Sequence, residues 1–356
     1  MATRQSWDSR NMARADVTET DGDTGTGQPP SRFRRALDGW LAGWRRGGRG
    51  GMWRRGLVLA GCAALLALVM LLHAHIPNTV GNLGSLSETF LPWFGLFVPL
   101  LLLAALLRRS ASALVALVLP VAVWCNLFAG LLVDRTASGG NLTVATHNVN
   151  AENPDPYGTA RGLVASGADV VALEELSARA VDIYEEALAG TYPYHTVQGT
   201  VGLWSRYPLR GSTPVDLRLG WTRALRAEVT TPSGSLAVYV AHLPSVRVRA
   251  DAGFTASQRD NSAVALGTAI AHEPLERVVL LGDLNGTMND RALNAVTAQM
   301  RSTQGAAGAG FGFSWPASFP MARIDQIMVK DITPVRSWTL PRTASDHLPL
   351  AAALTL

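Results

Sequence analysis

Three apolar runs, residues 57–72, 91–107 and 113–133, constrain this chain more than any other feature of it. Each approaches or exceeds the roughly 17 to 20 residues a helix needs to cross a bilayer, so together they predict a three-helix membrane anchor over residues 56–134. Pro92, Pro99 and Pro120 would break helices in water, but inside a membrane bundle neighbouring groups satisfy the freed carbonyls. The first run could be read as a cleavable signal peptide. Two further runs follow it, however, and no small-residue cleavage site stands at 73–76, so an uncleaved anchor is expected. Cys62 and Cys125 both lie inside these runs, which predicts small buried hydrophobes rather than a disulfide framework.

Charge is distributed unevenly around the anchor. Residues 1–139 carry 14 Arg and 8 acids, a net +6, whereas residues 140–356 carry 16 Arg, one Lys and 19 acids, a net −2. The basic excess therefore sits outside the part that would fold in water, and nucleic-acid binding is not the reading it favours. Residues 1–30 are Asp-, Thr-, Gly- and Ser-rich with almost no aliphatics and predict a disordered tail. Over 31–55, Phe33, Leu37, Trp40, Leu41 and Trp44 recur at helical spacing among arginines, the pattern of a basic amphipathic segment lying on a membrane surface. Eight Arg fall between Arg32 and Arg55, none between His75 and Glu88, and Arg108 and Arg109 fill the second connection. Positive flanks stay in the cytoplasm. The amino terminus is thus expected inside a multi-pass cytoplasmic-membrane protein, and everything after about residue 138 outside.

From residue 140 onward, strand-like and helix-like signals alternate. Strands are predicted at 142–146, 170–173, 201–205, 224–230, 236–242, 278–281, 323–329 and 350–354, and helices near 160–165, 176–189, 257–272 and 290–297. Polar clusters close most of the strands: THNVN at 146–150, LEEL at 173–176, WSRYP at 204–208, VAHLPS at 240–245, GDLN at 282–285, RIDQI at 323–327 and SDHLPL at 345–350. The stretch RVVLLGDLNGTMND poses the question most sharply, because a buried strand ends by placing Asp283 and Asn285 two residues apart and on one face. Strand ends are where open sheets carry active sites.

Taken jointly and in this order, these motifs resemble the endonuclease/exonuclease/phosphatase superfamily, the DNase I-like metallo-phosphoesterases. That resemblance implies an α+β fold, a four-layer α/β/β/α sandwich over residues 140–356, preceded here by the three transmembrane helices. It implies that Asn148 is the metal-site asparagine of the first strand, Glu175 the divalent-cation ligand and Asp346 the terminal metal-side aspartate. It further implies that His242 contacts the phosphate, that Asp283 and Asn285 orient water and hold phosphoryl oxygens, and that Asp325 pairs with the catalytic His347. Two departures stand out: Glu174 where the family often has Gln, and Asn150 where some members have an acid. The architecture also resembles the VanJ-type membrane proteins of actinomycetes, associated with teicoplanin resistance and with dephosphorylation of undecaprenyl pyrophosphate.

Chemistry alone selects the same residues. Phosphoester hydrolysis needs a hard cation, and Mg²⁺ (or Mn²⁺) is suited by a few carboxylate and amide oxygens plus water; Glu175, Asn148 and Asp346 supply them. No Cys/His cluster suits Zn²⁺. Asp283 can activate water, Asp325 can orient His347, and Asn285 and His242 can donate to oxygens that gain charge. His147 and Glu174 are expected to point away from the site and Trp204 to line the pocket or pack the sheet; Arg223, Arg226 and Arg259 could contact a phosphate, but a lone arginine of this kind more often lies on a solvated face. The remaining histidines, His73, His75, His195 and His272, have no motif around them. A membrane lipid or lipid-linked phosphate is the expected substrate, with no protein partner evident; the alternatives are an extracytoplasmic nuclease or a sphingomyelinase-like phospholipase C.

Overall fold

The computed structural model describes residues 32–46, 49–79, 81–245 and 256–356; the predicted tail, 1–30, lies outside them. Arg32–Arg46 is helical, as its spacing predicts, and belongs to a separate compact unit ending at Gly51.

Among the described residues of the larger unit, the twelve strands are β1 (Leu142–Asn148), β2 (Val170–Glu174), β3 (Tyr194–Gln198), β4 (Val201–Ser205), β5 (Leu209–Pro214), β6 (Ala224–Thr231), β7 (Gly234–His242), β8 (Val278–Asp283), β9 (Arg301–Ser302), β10 (Asp325–Lys330), β11 (Thr333–Thr339) and β12 (Leu350–Thr355). They form two six-stranded sheets, ordered β11-β12-β1-β2-β4-β3 and β5-β6-β7-β8-β10-β9. Each sheet mixes parallel and antiparallel neighbours: β1 runs parallel to β2 and β7 parallel to β8. Alternate residues of the central strands, among them Val144, Ala172, Val238, Leu281 and Ile327, meet between the sheets in one apolar core. The opposite faces bury against helices, the second sheet against Ala256–Ala271 and the first against Pro156–Ala165 and Ala178–Ala189. Both faces of each sheet are therefore covered, which is why the central strands read as continuous apolar runs. The four expected layers are present.

The anchor region is helical, with lengths that differ from expectation. Ala111–Leu132, at 22 residues, is the one helix among the described residues long and apolar enough to cross a membrane. Leu91–Leu107 meets Leu83–Thr89 at a 72° bend, so that pair could make one broken span, and Leu57–Leu71 is shorter than a span. The outward faces of these helices are apolar: Leu57, Val58, Leu65, Leu100, Leu103 and Val118 are all exposed. Cys62 and Cys125 are exposed too, a correction to the buried placement expected of them. The reason is that both lie on outward faces of these helices, away from the protein's own core.

Candidate active site

Strand register assembles the site. His242 on β7 lies opposite Asp283 on β8, and Asp283 lies opposite Asp325 on β10, so three of the predicted residues form a row across neighbouring strands with side chains on one face. At the end of β1 on the facing sheet, Asn148 donates from Nδ2 to Asp283 Oδ2 at 3.0 Å. Gly282 makes the approach possible. Its φ is 146°, and a Cβ there would lie 1.9 Å from the Ala241 carbonyl oxygen, so only glycine lets β8 run this close to β7.

Asp283 is 1% exposed and receives three donors: Asn148 Nδ2, the Asn285 backbone N–H at 2.9 Å and Asn285 Nδ2 at 3.2 Å. Asn285, at φ 46°, also donates from Nδ2 to the Leu243 carbonyl at 2.9 Å. Its amide therefore braces Asp283, whereas the family resemblance has it holding phosphoryl oxygens. Despite these donors, burial and the neighbouring Asp325 raise the Asp283 carboxyl to about 7. Such a carboxylate is a stronger base than an ordinary aspartate.

Behind it stands a carboxylate–imidazole pair. Asp325 accepts from His347 Nδ1 at 2.9 Å and from Ser314 Oγ at 2.6 Å, while His347 Nε2 reaches to 3.9 Å from Asp283 Oδ2. Burial would pull the His347 imidazole down, but Asp325, with Asp283 and Asp346 behind it, pushes it up to about 10. Burial would raise the Asp325 carboxyl, yet His347 and Ser314 hold it below its usual value. The loop carrying His347 is tied to β1, since Ser345 Oγ donates to the Asn148 carbonyl at 2.7 Å and accepts from His347 N–H at 3.1 Å. His242 is the opposite case. Burial, then the positive charges of Arg223 and His347, drive its pKa well below the ordinary value, so it stands neutral, with Nε2 3.4 Å from Glu175 Oε1 and 3.7 Å from Asp283 Oδ2.

Glu175, Asp283, Asn285, Asp346 and His347 line one cavity of about 430 Å³. Glu175, at φ 59°, turns out of the end of β2 and keeps about a third of its side chain exposed. Asp346 is exposed and accepts from Asn150 Nδ2 at 3.0 Å. A hard cation fits the donors Glu175, Asp346 and Asn148, which are oxygens throughout, two of them carboxylates opening into the cavity. Ligand atoms of Asp283, Asp325 and His347 also lie within 4.8 Å of one another. Those of Asp325 and His347 point at each other, however, which makes them an oriented acid–base pair.

The residues set aside in the sequence fall as follows. His147 is buried against Thr343 Oγ1 at 2.8 Å, and burial lowers its pKa to about 3. Glu174 is buried, with Oε1 accepting from Thr146 Oγ1 at 2.8 Å, and burial holds its pKa well above the ordinary carboxylate range. Trp204 packs the sheet, fully buried and stacked on His195. The arginines correct the expectation. Arg223 presses its guanidinium on the His242 ring, and Arg226 makes a bidentate pair with Glu273 at 2.7 and 3.0 Å. Arg259 is fully buried against Asp290. No motif pointed to the remaining cavity walls, which are Trp315 and, from the anchor, Ser85, Leu86, Thr89 and Phe90.

A base, an oriented imidazole and open oxygen donors around one cavity define a class, the metal-dependent hydrolases that transfer a phosphoryl group to water. The profile of the Endonuclease/Exonuclease/phosphatase family matches residues 145–347, more than half of the chain, and this chain belongs to that family. The fold is similar to that of an endonuclease/exonuclease/phosphatase from Beutenbergia cavernae, at 20% identity over 61% of this chain and 72% of that one, TM-score 0.51. It is likewise similar to a mannosyl-6-phosphatase of Bacteroides thetaiotaomicron, at 17% identity, 61% and 100% coverage and TM-score 0.51. A third likeness is D. rerio TDP2 in complex with a single-strand DNA product, at 19% identity, 60% and 99% coverage and TM-score 0.51. Among curated protein sequences there is no significant match.

Proposed function

We propose that this protein is a membrane-anchored, Mg²⁺-dependent phosphatase acting on a lipid-linked phosphate or pyrophosphate, such as undecaprenyl pyrophosphate, at the outer face of the cytoplasmic membrane. One observation carries the reading: Ser85, Leu86, Thr89 and Phe90 of the anchor wall the same cavity as Asp283, Asp346 and His347. A substrate reaching the site passes the segment that the apolar helices hold at the bilayer. The exposed apolar faces of those helices and the arginine pattern support three spans with the amino terminus inside, and the −2 charge of residues 140–356 disfavours a polynucleotide. The likeness to VanJ-type proteins extends the proposal to a role in teicoplanin resistance.

In the proposed reaction, a water oxygen bonds to phosphorus as the bridging P–O bond breaks. Asp283 takes the proton of the water, and its raised pKa suits it to do so. His347, charged and held by Asp325, neutralises the phosphoryl oxygens and supplies a proton to the leaving phosphate, while neutral His242 donates a hydrogen bond. A Mg²⁺ ion on Glu175, Asp346 and Asn148 would supply charge neutralisation. The test is phosphate release from undecaprenyl pyrophosphate by the full chain in detergent with Mg²⁺. Release above His347→Ala and Asp283→Ala controls is expected, and none above them would refute the reading. Salt-sensitive DNA cleavage or choline-phosphate release would instead select a nuclease or a phospholipase C. A reporter fused after residue 138 that is active only in the cytoplasm would refute the topology.

A further inference from the structure

Beside the catalytic cavity, two more cavities run in series toward the apolar helices. The outer one, about 400 Å³, lies between Leu91–Leu96, Phe97–Leu107 and Val118–Leu132 and is closed on the domain side by Phe311 and Phe313. The middle one, about 220 Å³, shares Pro92, Phe311 and Phe313 with the outer cavity and Thr89 with the catalytic one. The three cavities are thus neighbours separated by walls that they share, in a row from His347 to the outer face of the helices. At the outer mouth, Leu96 and Val121 are 56% and 44% exposed, so it opens where the helices present hydrocarbon.

The lining says what could fill it. Phe311 stacks on Phe313 at 5.0 Å, and Phe313 on Trp93 at 5.9 Å. The indole N–H groups of Trp93 and Trp124 are already given to the carbonyls of Met321 and Pro92, each at 2.8 Å. The aromatic walls therefore offer only apolar faces, and the outer cavity has the size of a small-molecule site, about 300–1,000 Å³. Arg323 is the one charged residue lining the middle and outer cavities among the described residues. It gives Nη1 to the Gly312 carbonyl at 2.8 Å, but its buried Nε and Nη2 have no acceptor there. A buried guanidinium with idle donors calls for an anion, and it stands two residues from Asp325, between the reacting end and the apolar end of the path.

We infer that this path seats the lipid half of the substrate, with the hydrocarbon chain in the groove of Trp93, Trp124, Phe311 and Phe313 and the phosphate nearest the lipid on Arg323. This rests on the lipid-phosphate reading above and adds a chain-length specificity to it. The full chain in nanodiscs is assayed on inorganic pyrophosphate, a short isoprenoid diphosphate and a long-chain homologue, and is photolabelled with a polyprenyl monophosphate carrying a diazirine in its chain.

The wild type should favour the long chain over the short by about tenfold in kcat/KM, the worth of two or so buried methylenes. Val121→Trp, which fills the groove mouth at an exposed position, should abolish that preference and leave pyrophosphate hydrolysis unchanged. The label should fall on peptides containing Trp93, Trp124 or Phe311–Phe313. Phosphate release with no chain-length preference, or with labelling elsewhere on the helices, would overturn the inference and leave the proposed reaction standing. Labelling of the groove without phosphate release from any diphosphate would overturn the reaction and support the lipid site.

Discussion

Arg259 should be the most destabilising single position to change. It is 0% exposed, and its guanidinium bonds both oxygens of the equally buried Asp290. It also donates to the Asn285 carbonyl at 2.9 Å and to Ser85 Oγ at 3.1 Å, so one side chain joins the helix Ala256–Ala271, the loop after β8 and the anchor. Arg259→Met keeps the length and removes the charge, leaving the Asp290 carboxylate buried without a cation at a cost of about 3–5 kcal/mol. The Asn285 carbonyl loses its donor, for about 1 kcal/mol more. At about 2–4 °C per kcal/mol for a domain this large, the unfolding midpoint of the full chain in detergent, followed by intrinsic fluorescence, should fall by about 10 °C or more. Arg259→Met/Asp290→Asn should recover part of that loss, because the stranded charge is gone. A fall below about 3 °C, or a double variant no better than the single, would refute the claim that the buried pair organises this junction.

Other consequences are direct. Asp325→Asn removes the carboxylate that holds His347 charged, so kcat should fall by about 10²–10⁴-fold with KM little changed, and the His347 titration seen by NMR should move down from about 10. Glu175→Gln keeps the shape and removes a charged oxygen donor; the Mg²⁺ concentration for half-maximal activity, and for half of any Mg²⁺-induced thermal shift, should rise by about 10- to 100-fold. Burial would raise the Glu273 carboxyl, but Arg226, the Tyr239 hydroxyl and the Leu275 N–H hold it below its usual value. A depressed carboxylate stabilises the fold above its unfolded pKa, about 4.3, and loses that contribution as pH falls through the lower folded value. Glu273→Gln should therefore cost about 2 kcal/mol at neutral pH and progressively less below about pH 4; a constant difference in urea melts across that range would contradict the pairing.

All eight predicted strands are present, and the four that were not foreseen, β3, β5, β9 and β11, are the four sheet edges. The reason is burial. An interior strand such as β8 is buried at every position, whereas β3 and β5 are largely exposed or half-buried, so an edge strand leaves no apolar run to read. The same logic separates the legible from the hidden in the site. Residues at strand ends could be named because register fixes them: once β7, β8 and β10 are neighbours, His242, Asp283 and Asp325 must share a row. Arg223 and Arg259 look like any surface arginine in sequence, because what engages them is a partner elsewhere in the chain, His242 for Arg223 and Asp290 and Ser85 for the buried Arg259.

The least legible element is the anchor's part in the site. Composition alone makes residues 91–107 a membrane span, since an apolar stretch does not declare whether it meets lipid or protein. In the fold, the segment before it bends by 72°, Trp93 donates its N–H to Met321 in the domain, and the Glu88 carbonyl accepts from Thr287 Oγ1 at 3.2 Å. Thr287 is two residues beyond Asn285, so the loop that braces Asp283 is itself held by the helix Leu83–Thr89. The helical segment before β1 is therefore a wall of the site, and a change on that side of the wall should alter which substrates enter without touching the acid–base pair.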